Sequence, residues 1–176
     1  QINTVIATHV AHGTTSMLAS LVSEPIDSLI TQIRALLPFI NNSPIKGIHL
    51  EGPYLAHSHC GAHDPALLRL PSIDELKSLI DASNANIRMV TIAPELDGAI
   101  PVIEFLASEE ITVALGHSGA DAETTSAAIM AGATIITHFN NGMPKLGSQN
   151  NISTVSLSDP TISLELILDG IHLSNA

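Results

Sequence analysis

Six short apolar runs alternate with amphipathic stretches from Thr15 onward. This spacing is typical of repeated βα units and not of hairpins. None of the runs alternates cleanly between apolar and polar positions, so both faces of the predicted sheet are expected to be covered. The predicted strands are 16–22, 46–51, 88–93, 112–116, 134–139 and 163–168.

The stretches between these runs carry helix signals. Ser72 and Glu75 form a capping-box pattern at the start of one of them, and Gly132 suits the end of another. The clearest helix follows Pro25 and places apolar residues on one face, at Ile26, Leu29, Ile30, Ile33, Leu36, Leu37 and Ile40. Four other helices are predicted. One begins at Ser72, one follows Asp97-Gly98 and has Pro101 in its first turn, and one runs over 121–131; a weaker pattern predicts a helix over 3–10.

Two architectures fit this order of elements. One is an open, doubly wound sheet, and the other is a (β/α)8 TIM-type barrel of which about six βα units are present. A whole barrel typically needs roughly 250 residues, whereas this chain has 176 and opens at Gln1 without an initiator Met. We therefore expect a fragment that forms one partial catalytic barrel domain over 1–176, with a loop over 140–158.

Composition narrows the possible partners. The formal net charge is −11, which repels nucleic-acid phosphates and anionic lipid, so we expect neither a nucleic acid nor a membrane as partner. Cys60 is the only cysteine, which excludes an internal disulfide and a thiolate-built metal site. A single cysteine also favours a reducing compartment, and we expect the cytoplasm.

Polar residues terminate several of the apolar runs. Glu51 ends one predicted strand, His117 follows another, and His138 comes after the residues Ile135-Ile-Thr137 near the end of a third. The carboxyl ends of parallel strands lie at one edge of a sheet. A buried carboxylate without a partner costs several kcal/mol. One divalent cation would satisfy all three groups, and a catalytic zinc commonly takes three such ligands and leaves a position for water.

Spacing alone leaves a structural role open for each of these histidines. A role outside the chemistry is favoured more strongly for the other candidate residues. His9 and His12 are expected at the surface, His49 in a structural hydrogen bond, and His57 and His59 in a solvent-exposed loop; Ser118 lacks the glycine spacing of a nucleophile elbow.

Seven segments, in order, resemble the N-acetylglucosamine-6-phosphate deacetylases of the amidohydrolase superfamily. The resemblance covers essentially the whole chain. The segments are 49–53 (HLEGP), 61–65 (GAHDP), 90–95 (VTIAPE), 116–118 (GHS), 131–138 (AGATIITH), 141–143 (NGM) and 169–172 (DGIH).

The resemblance implies a distorted (β/α)8 barrel, flanked in the intact enzyme by a small β-sandwich, that removes acetate from a phosphorylated amino sugar. It assigns the metal to Glu51, His117 and His138, in agreement with the strand-end argument. Zinc is expected first, with iron, manganese and cobalt as alternatives. The resemblance further implies substrate contacts from Ala62, His63, Asn141, Gly142, Gln149 and His172.

Two departures from the family pattern leave alternatives open. Gln149 stands where the family carries an arginine for the substrate phosphate of the partner subunit, and a neutral amide cannot replace a guanidinium. The aspartate that acts as general base in the family is expected beyond Ala176. The alternatives are a non-catalytic or truncated relative and a deacetylase for galactosamine or for an unphosphorylated amino sugar. In the intact enzyme the resemblance implies a homodimer.

Overall fold

The computed structural model describes residues 1–40, 42–147 and 150–173. A six-stranded sheet forms its centre, and every neighbouring pair of strands is parallel. The strands are β1 (Met17–Val22), β2 (Ile45–Glu51), β3 (Ile87–Ile92), β4 (Thr112–Leu115), β5 (Ala133–Ile136) and β6 (Ser163–Leu164).

A helix precedes each strand along the chain. These helices are α1 (Ile2–Ala11), α2 (Ile26–Leu36), α3 (Ile73–Ala82), α4 (Ala99–Ser108), α5 (Ala122–Met130) and α6 (Ile152–Ser158). Side-chain caps explain three of the helix starts, because Ser72, Asp121 and Asn151 each accept a hydrogen bond from a backbone N–H in the first turn. Short 3₁₀ turns lie at Leu37–Phe39, His57–His59 and Pro65–Leu67.

Strand order decides between the two architectures. The strands neighbour one another in the order in which they occur along the chain, β1-β2-β3-β4-β5-β6. A doubly wound sheet reverses its order at a switch point, whereas a (β/α)8 barrel adds strands in sequence order. The fold is therefore part of a (β/α)8 barrel, and the predicted fold class is confirmed.

The core lies between the sheet and the helices that cover it. In β2 the side chains of Ile48 and Leu50 are at most 1% exposed, as expected for a parallel strand covered on both faces. From the helices, Ile33 of α2 and Leu106 of α4 are fully buried in the same core cluster. Across the described residues, no helix has both the length and the apolar character needed to cross a membrane.

The structure differs from the sequence prediction near the end of the chain. The predicted loop over 140–158 contains α6, whose Asn151 and Thr154 form a reciprocal capping box. The predicted sixth strand over 163–168 is reduced to Ser163–Leu164, which pairs only with Ile135 and Ile136 of β5. No neighbour on its other side among the described residues extends β6, so the apolar run after it does not form a strand.

Candidate metal centre and its cavity

Three side chains predicted to bind a metal meet at the carboxyl edge of the sheet. Glu51 is the last residue of β2, and His117 and His138 follow β4 and β5 by two residues each. Both histidines have a positive φ, 48° for His117 and 31° for His138. This conformation costs a residue with a side chain roughly 1–2 kcal/mol, and such strain concentrates at functional sites.

The polar atoms of these side chains converge on one point. Oε1 of Glu51 lies 3.1 Å from Nε2 of His117 and 3.0 Å from Nε2 of His138, and the two Nε2 atoms are 3.0 Å apart. A cation bonded to all three atoms at about 2.0–2.1 Å in tetrahedral geometry would require separations of about 3.3 Å. The observed triangle needs to open by only a few tenths of an ångström to hold an ion.

The hydrogen bonding of His117 indicates what the triangle needs at its centre. Nδ1 of this histidine donates to the backbone carbonyl of His59 at 2.8 Å, so in the neutral ring Nε2 carries a lone pair. The ionised carboxylate of Glu51 is also an acceptor only. Two acceptors 3.1 Å apart repel each other unless a positive charge lies between them, and a divalent cation fits this donor set.

Electrostatics keep the carboxylate ionised. Interactions with the side chains of His117 and then His138 hold the pKa of Glu51 far below its usual range, although burial opposes them. Burial also lowers the pKa of His138, but the hydrogen bond and negative charge of Glu51 outweigh it, so the pKa lies above the ordinary value. Nδ1 of His138 is buried without a hydrogen-bond partner among the described residues, unlike Nδ1 of His117.

His63 is a fourth group at this centre. Its ring packs edge-on against His117 with the centroids 4.6 Å apart, and one of its nitrogens lies within 4.8 Å of ligand atoms of Glu51 and His117. The backbone N–H of Ser23 donates to Nδ1 of His63 at 3.4 Å, and the Ser23 hydroxyl lies 2.9 Å from the same atom. Nδ1 therefore accepts, and the proton of the neutral ring is on Nε2. Burial and the neighbouring His117 lower the pKa of His63 and favour this neutral form.

A cavity of about 410 Å³ opens beside the cluster. Ala62 and His63, both predicted to contact substrate, line it together with the three candidate metal ligands. Its lining also includes the acidic Glu24 and Asp64 but no lysine or arginine among the described residues. The cavity can admit a small molecule whose reacting atom reaches the cluster, and its described walls favour a neutral or cationic part of that molecule.

Three other predicted substrate residues, Asn141, Gly142 and His172, lie outside the lining of this cavity. Asn141 donates through its side-chain amide to the carbonyls of His138 and Phe139. Gly142 lies against the ring of His117, where an added Cβ would come within 3.0 Å of Nδ1. His172 is exposed and its Nδ1 is 2.7 Å from Oδ2 of Asp169. Gln149 lies outside the described residues.

Sequence reasoning did not identify the groups that support these side chains. Ser23, which holds His63, directly follows β1, and this strand-end position was the available signal. The His59 carbonyl that orients His117 has no sequence signature. His49 makes the structural hydrogen bonds expected of it, between Nδ1 and the Ser20 hydroxyl and between Nε2 and the Thr91 hydroxyl. Burial lowers the pKa of His49 to about 4, so its ring is neutral.

Known proteins similar to this chain are sugar-phosphate deacetylases. The N-acetylgalactosamine-6-phosphate deacetylase of Escherichia coli O157:H7 is 35% identical over 97% of the chain and 47% of its own length. The N-acetylglucosamine-6-phosphate deacetylase of Vibrio furnissii is 34% identical over 99% of the chain and 45% of its own length. The chain thus spans about half the length of these relatives. No family model matches the sequence.

Solved structures give the same result for the fold. An N-acetyl-D-glucosamine-6-phosphate deacetylase mutant from Mycobacterium smegmatis, in complex with N-acetyl-D-glucosamine-6-phosphate, superposes with a TM-score of 0.92 and 40% identity. That match covers 96% of the chain and 45% of the solved one. The deacetylase from Thermotoga maritima has a TM-score of 0.88 and 31% identity over 98% of the chain and 47% of its own.

Proposed function

From its homology with the N-acetylglucosamine-6-phosphate deacetylases, we propose that this chain carries the metal-binding part of an amide hydrolase that removes the acetyl group from an amino-sugar 6-phosphate. The products are acetate and the free amino-sugar phosphate. The observation that supports this proposal best is the convergence of Glu51, His117 and His138, whose ligand atoms lie 3.0–3.1 Å apart beside an open cavity.

In this proposal Glu51, His117 and His138 hold one divalent cation, with zinc as the first candidate and iron, manganese or cobalt as alternatives. When bound, such an ion supplies a Lewis acid for the amide carbonyl and lowers the pKa of water. The carboxylate of Glu51 contributes the negative charge, and its strongly lowered pKa keeps it ionised at neutral pH. The hydrogen bond to the His59 carbonyl keeps Nε2 of His117 directed at the same point.

We propose that His63 faces the acetamido group. Ser23 leaves the proton of the neutral His63 ring on Nε2, so this atom can donate a hydrogen bond to the amide oxygen as negative charge develops there. Ala62 leaves room beside it in the cavity. Asn141, Gly142, Gln149 and His172 remain predicted contacts for the rest of the sugar phosphate, and the general base remains an aspartate expected beyond Ala176.

We further propose that 1–176 forms one partial barrel domain, that the enzyme is a homodimer and that it acts in the cytoplasm. The single domain is supported by one core cluster that runs from α2 to α6. The dimer and the compartment rest on the family resemblance and on the single cysteine.

A carboxylate-to-amide change at the metal centre tests the proposal. The protein is expected to bind about one Zn²⁺ per chain in a titration against a chromogenic chelator. Glu51→Gln removes the negative ligand at constant size and is expected to weaken binding at least a hundredfold, whereas Glu109→Gln, at an exposed position, should bind as the unmodified protein does. Undiminished binding by Glu51→Gln would reject this metal centre.

A second candidate is a deacetylase for an unphosphorylated amino sugar. The acidic Glu24 and Asp64 in the cavity, and the lack of basic residues in its described lining, favour it. Acetate release from N-acetylglucosamine 6-phosphate, N-acetylgalactosamine 6-phosphate and plain N-acetylglucosamine distinguishes the candidates. A higher kcat/KM for the plain sugar would replace the first proposal by the second, and acetate release from none of them would favour a non-catalytic relative.

A further inference from the structure

The turn that carries His117 adopts a conformation that the histidine does not favour by itself. Its φ of 48° lies in the left-handed region, where a residue with a side chain is disfavoured by roughly 1–2 kcal/mol. Surrounding structure must hold such a residue in place. Backbone hydrogen bonds contribute, from Ala56 N–H to the His117 carbonyl and from Ser118 N–H to the Gly142 carbonyl, each at 3.0 Å.

The strongest contacts to this turn come from Glu95. One carboxylate oxygen accepts the Ser118 hydroxyl at 2.7 Å, and the other accepts the Gly119 backbone N–H at 2.6 Å. Hydrogen bonds to an ionised carboxylate are about twice as strong as those between neutral groups. Glu95 follows β3, the neighbour of β4 in the sheet, and it is an exposed residue. It therefore ties the turn after β4 to the end of the adjacent strand.

Gly119 also connects Glu95 to His117 through a second residue, His59. A Cβ added at Gly119 would lie 2.6 Å from Cε1 of His59, so the backbone of Gly119 packs directly on the His59 ring. The carbonyl of the same His59 accepts the hydrogen bond from Nδ1 of His117. Fixing Gly119 thus restrains both the backbone that carries His117 and the residue that orients its ring.

We infer that Glu95 is a positioning residue for the metal centre: its carboxylate holds the turn at 117–119 so that Nε2 of His117 stays beside Glu51 and His138. This inference rests on the proposed function, because it assigns Glu95 a role in cation binding without contact to the cation. Groups that orient metal ligands typically change metal affinity 10- to 100-fold when they are removed.

The experiment compares Glu95→Ala, Glu95→Gln and the control Glu104→Ala, which removes an exposed carboxylate from α4. Zn²⁺ affinity is measured by chelator competition, the visible spectrum of the Co²⁺-loaded protein reports ligand geometry, and urea unfolding reports stability. Glu95→Ala is expected to lower the affinity 10- to 100-fold and to change the Co²⁺ spectrum. Glu95→Gln keeps an oxygen that can accept the Gly119 N–H, and its amide NH2 can donate to the Ser118 hydroxyl oxygen, so this variant should retain the spectrum with only a few-fold loss of affinity.

Two results separate this inference from the proposed function. If the unmodified protein binds no cation, the proposed function fails. If it binds one in a manner that depends on Glu51, but folded Glu95→Ala has the same affinity and spectrum, only the positioning role is refuted. Should Glu95→Ala not fold, Ser118→Ala decides, since it removes one of the two contacts; a few-fold weaker affinity with an altered spectrum supports the role, and unchanged binding overturns it.

Discussion

Gly142 is a position where one methyl group should disturb the metal centre. Its φ is 57°, and an added Cβ would lie 3.0 Å from Nδ1 of His117, 3.4 Å from Cε1 and 3.5 Å from Cγ. Carbon atoms in ordinary contact are about 3.5–4.0 Å apart, so the ring of His117 must move by a few tenths of an ångström in Gly142→Ala. We expect this movement to weaken cation binding.

Gly142→Ala has two separable effects, one on the free energy of unfolding and one on the Zn²⁺ affinity. The positive φ itself costs alanine roughly 1 kcal/mol relative to glycine, and this cost appears in the free energy of unfolding. The added methyl group contacts Nδ1 most closely, so the displaced ring strains the 2.8 Å hydrogen bond from Nδ1 to the His59 carbonyl, which orients Nε2. Because disturbing a group that orients a metal ligand typically changes metal affinity about 10- to 100-fold, we expect roughly tenfold weaker Zn²⁺ binding, equivalent to about 1.4 kcal/mol.

Gly147→Ala provides the matched control. Gly147 lies in the same loop with a φ of 94°, and none of the residues that the structure describes lies within 4 Å of a Cβ added there. Gly147→Ala therefore places an alanine at a positive φ, which lowers the free energy of unfolding, without a contact to His117. Urea unfolding should show both variants destabilised, while chelator competition should show weaker Zn²⁺ binding for Gly142→Ala alone. Equal affinities of the two variants would refute the argument that the ring of His117 is held by this contact.

Two further predictions concern stability and pH. Tyr54 is fully buried and donates to the Glu75 carboxylate at 3.1 Å. Because a hydrogen bond to a charged group contributes roughly 1.5–3 kcal/mol, Tyr54→Phe should lower the free energy of unfolding in urea by about that amount and leave Zn²⁺ binding intact. Unchanged stability would contradict this prediction. Backbone N–H groups of His172 and Ile171, followed by the His172 side chain, lower the pKa of Asp169 from 3.8 to about 2. The turn should therefore be held fully above pH 4 and released as the pH falls through 2, which the amide proton shifts of Ile171 and His172 would follow in NMR; a midpoint near pH 4 would contradict it.

The sequence predicts well those features that depend on one residue type at one place in a strand. Glu51, His117 and His138 stand out because each ends an apolar run, and parallel strands bring such ends together. The structure does place these side chains within 3.1 Å of one another, while their role as metal ligands remains a prediction. The alternation of apolar runs and helices likewise predicts a parallel sheet covered by helices, and strand order then distinguishes the partial barrel from a doubly wound sheet.

Features that depend on the backbone or on distant partners could not be predicted in this way. The His59 carbonyl orients His117 across 58 positions of the sequence, and a carbonyl is present at every residue. α6 was not predicted because asparagine, serine and threonine are typical of loops, although Asn151 and Thr154 cap this helix reciprocally. β6 is shorter than its apolar run because pairing partners, and not hydrophobicity, set the length of a strand.

The distance along the chain between the converging side chains has a consequence for folding. Glu51, the last residue of β2, and His138, two residues after β5, are 87 residues apart, so an ion shared by them would act as a reversible cross-link that closes a long loop. Because the unfolded chain does not hold these side chains together, the cation binds the native state alone and adds about 2.7 kcal/mol of stability at a concentration of 100 times its Kd. Metal supply would then set the lifetime of the folded protein as well as its chemistry, and chelation would speed its loss to proteolysis.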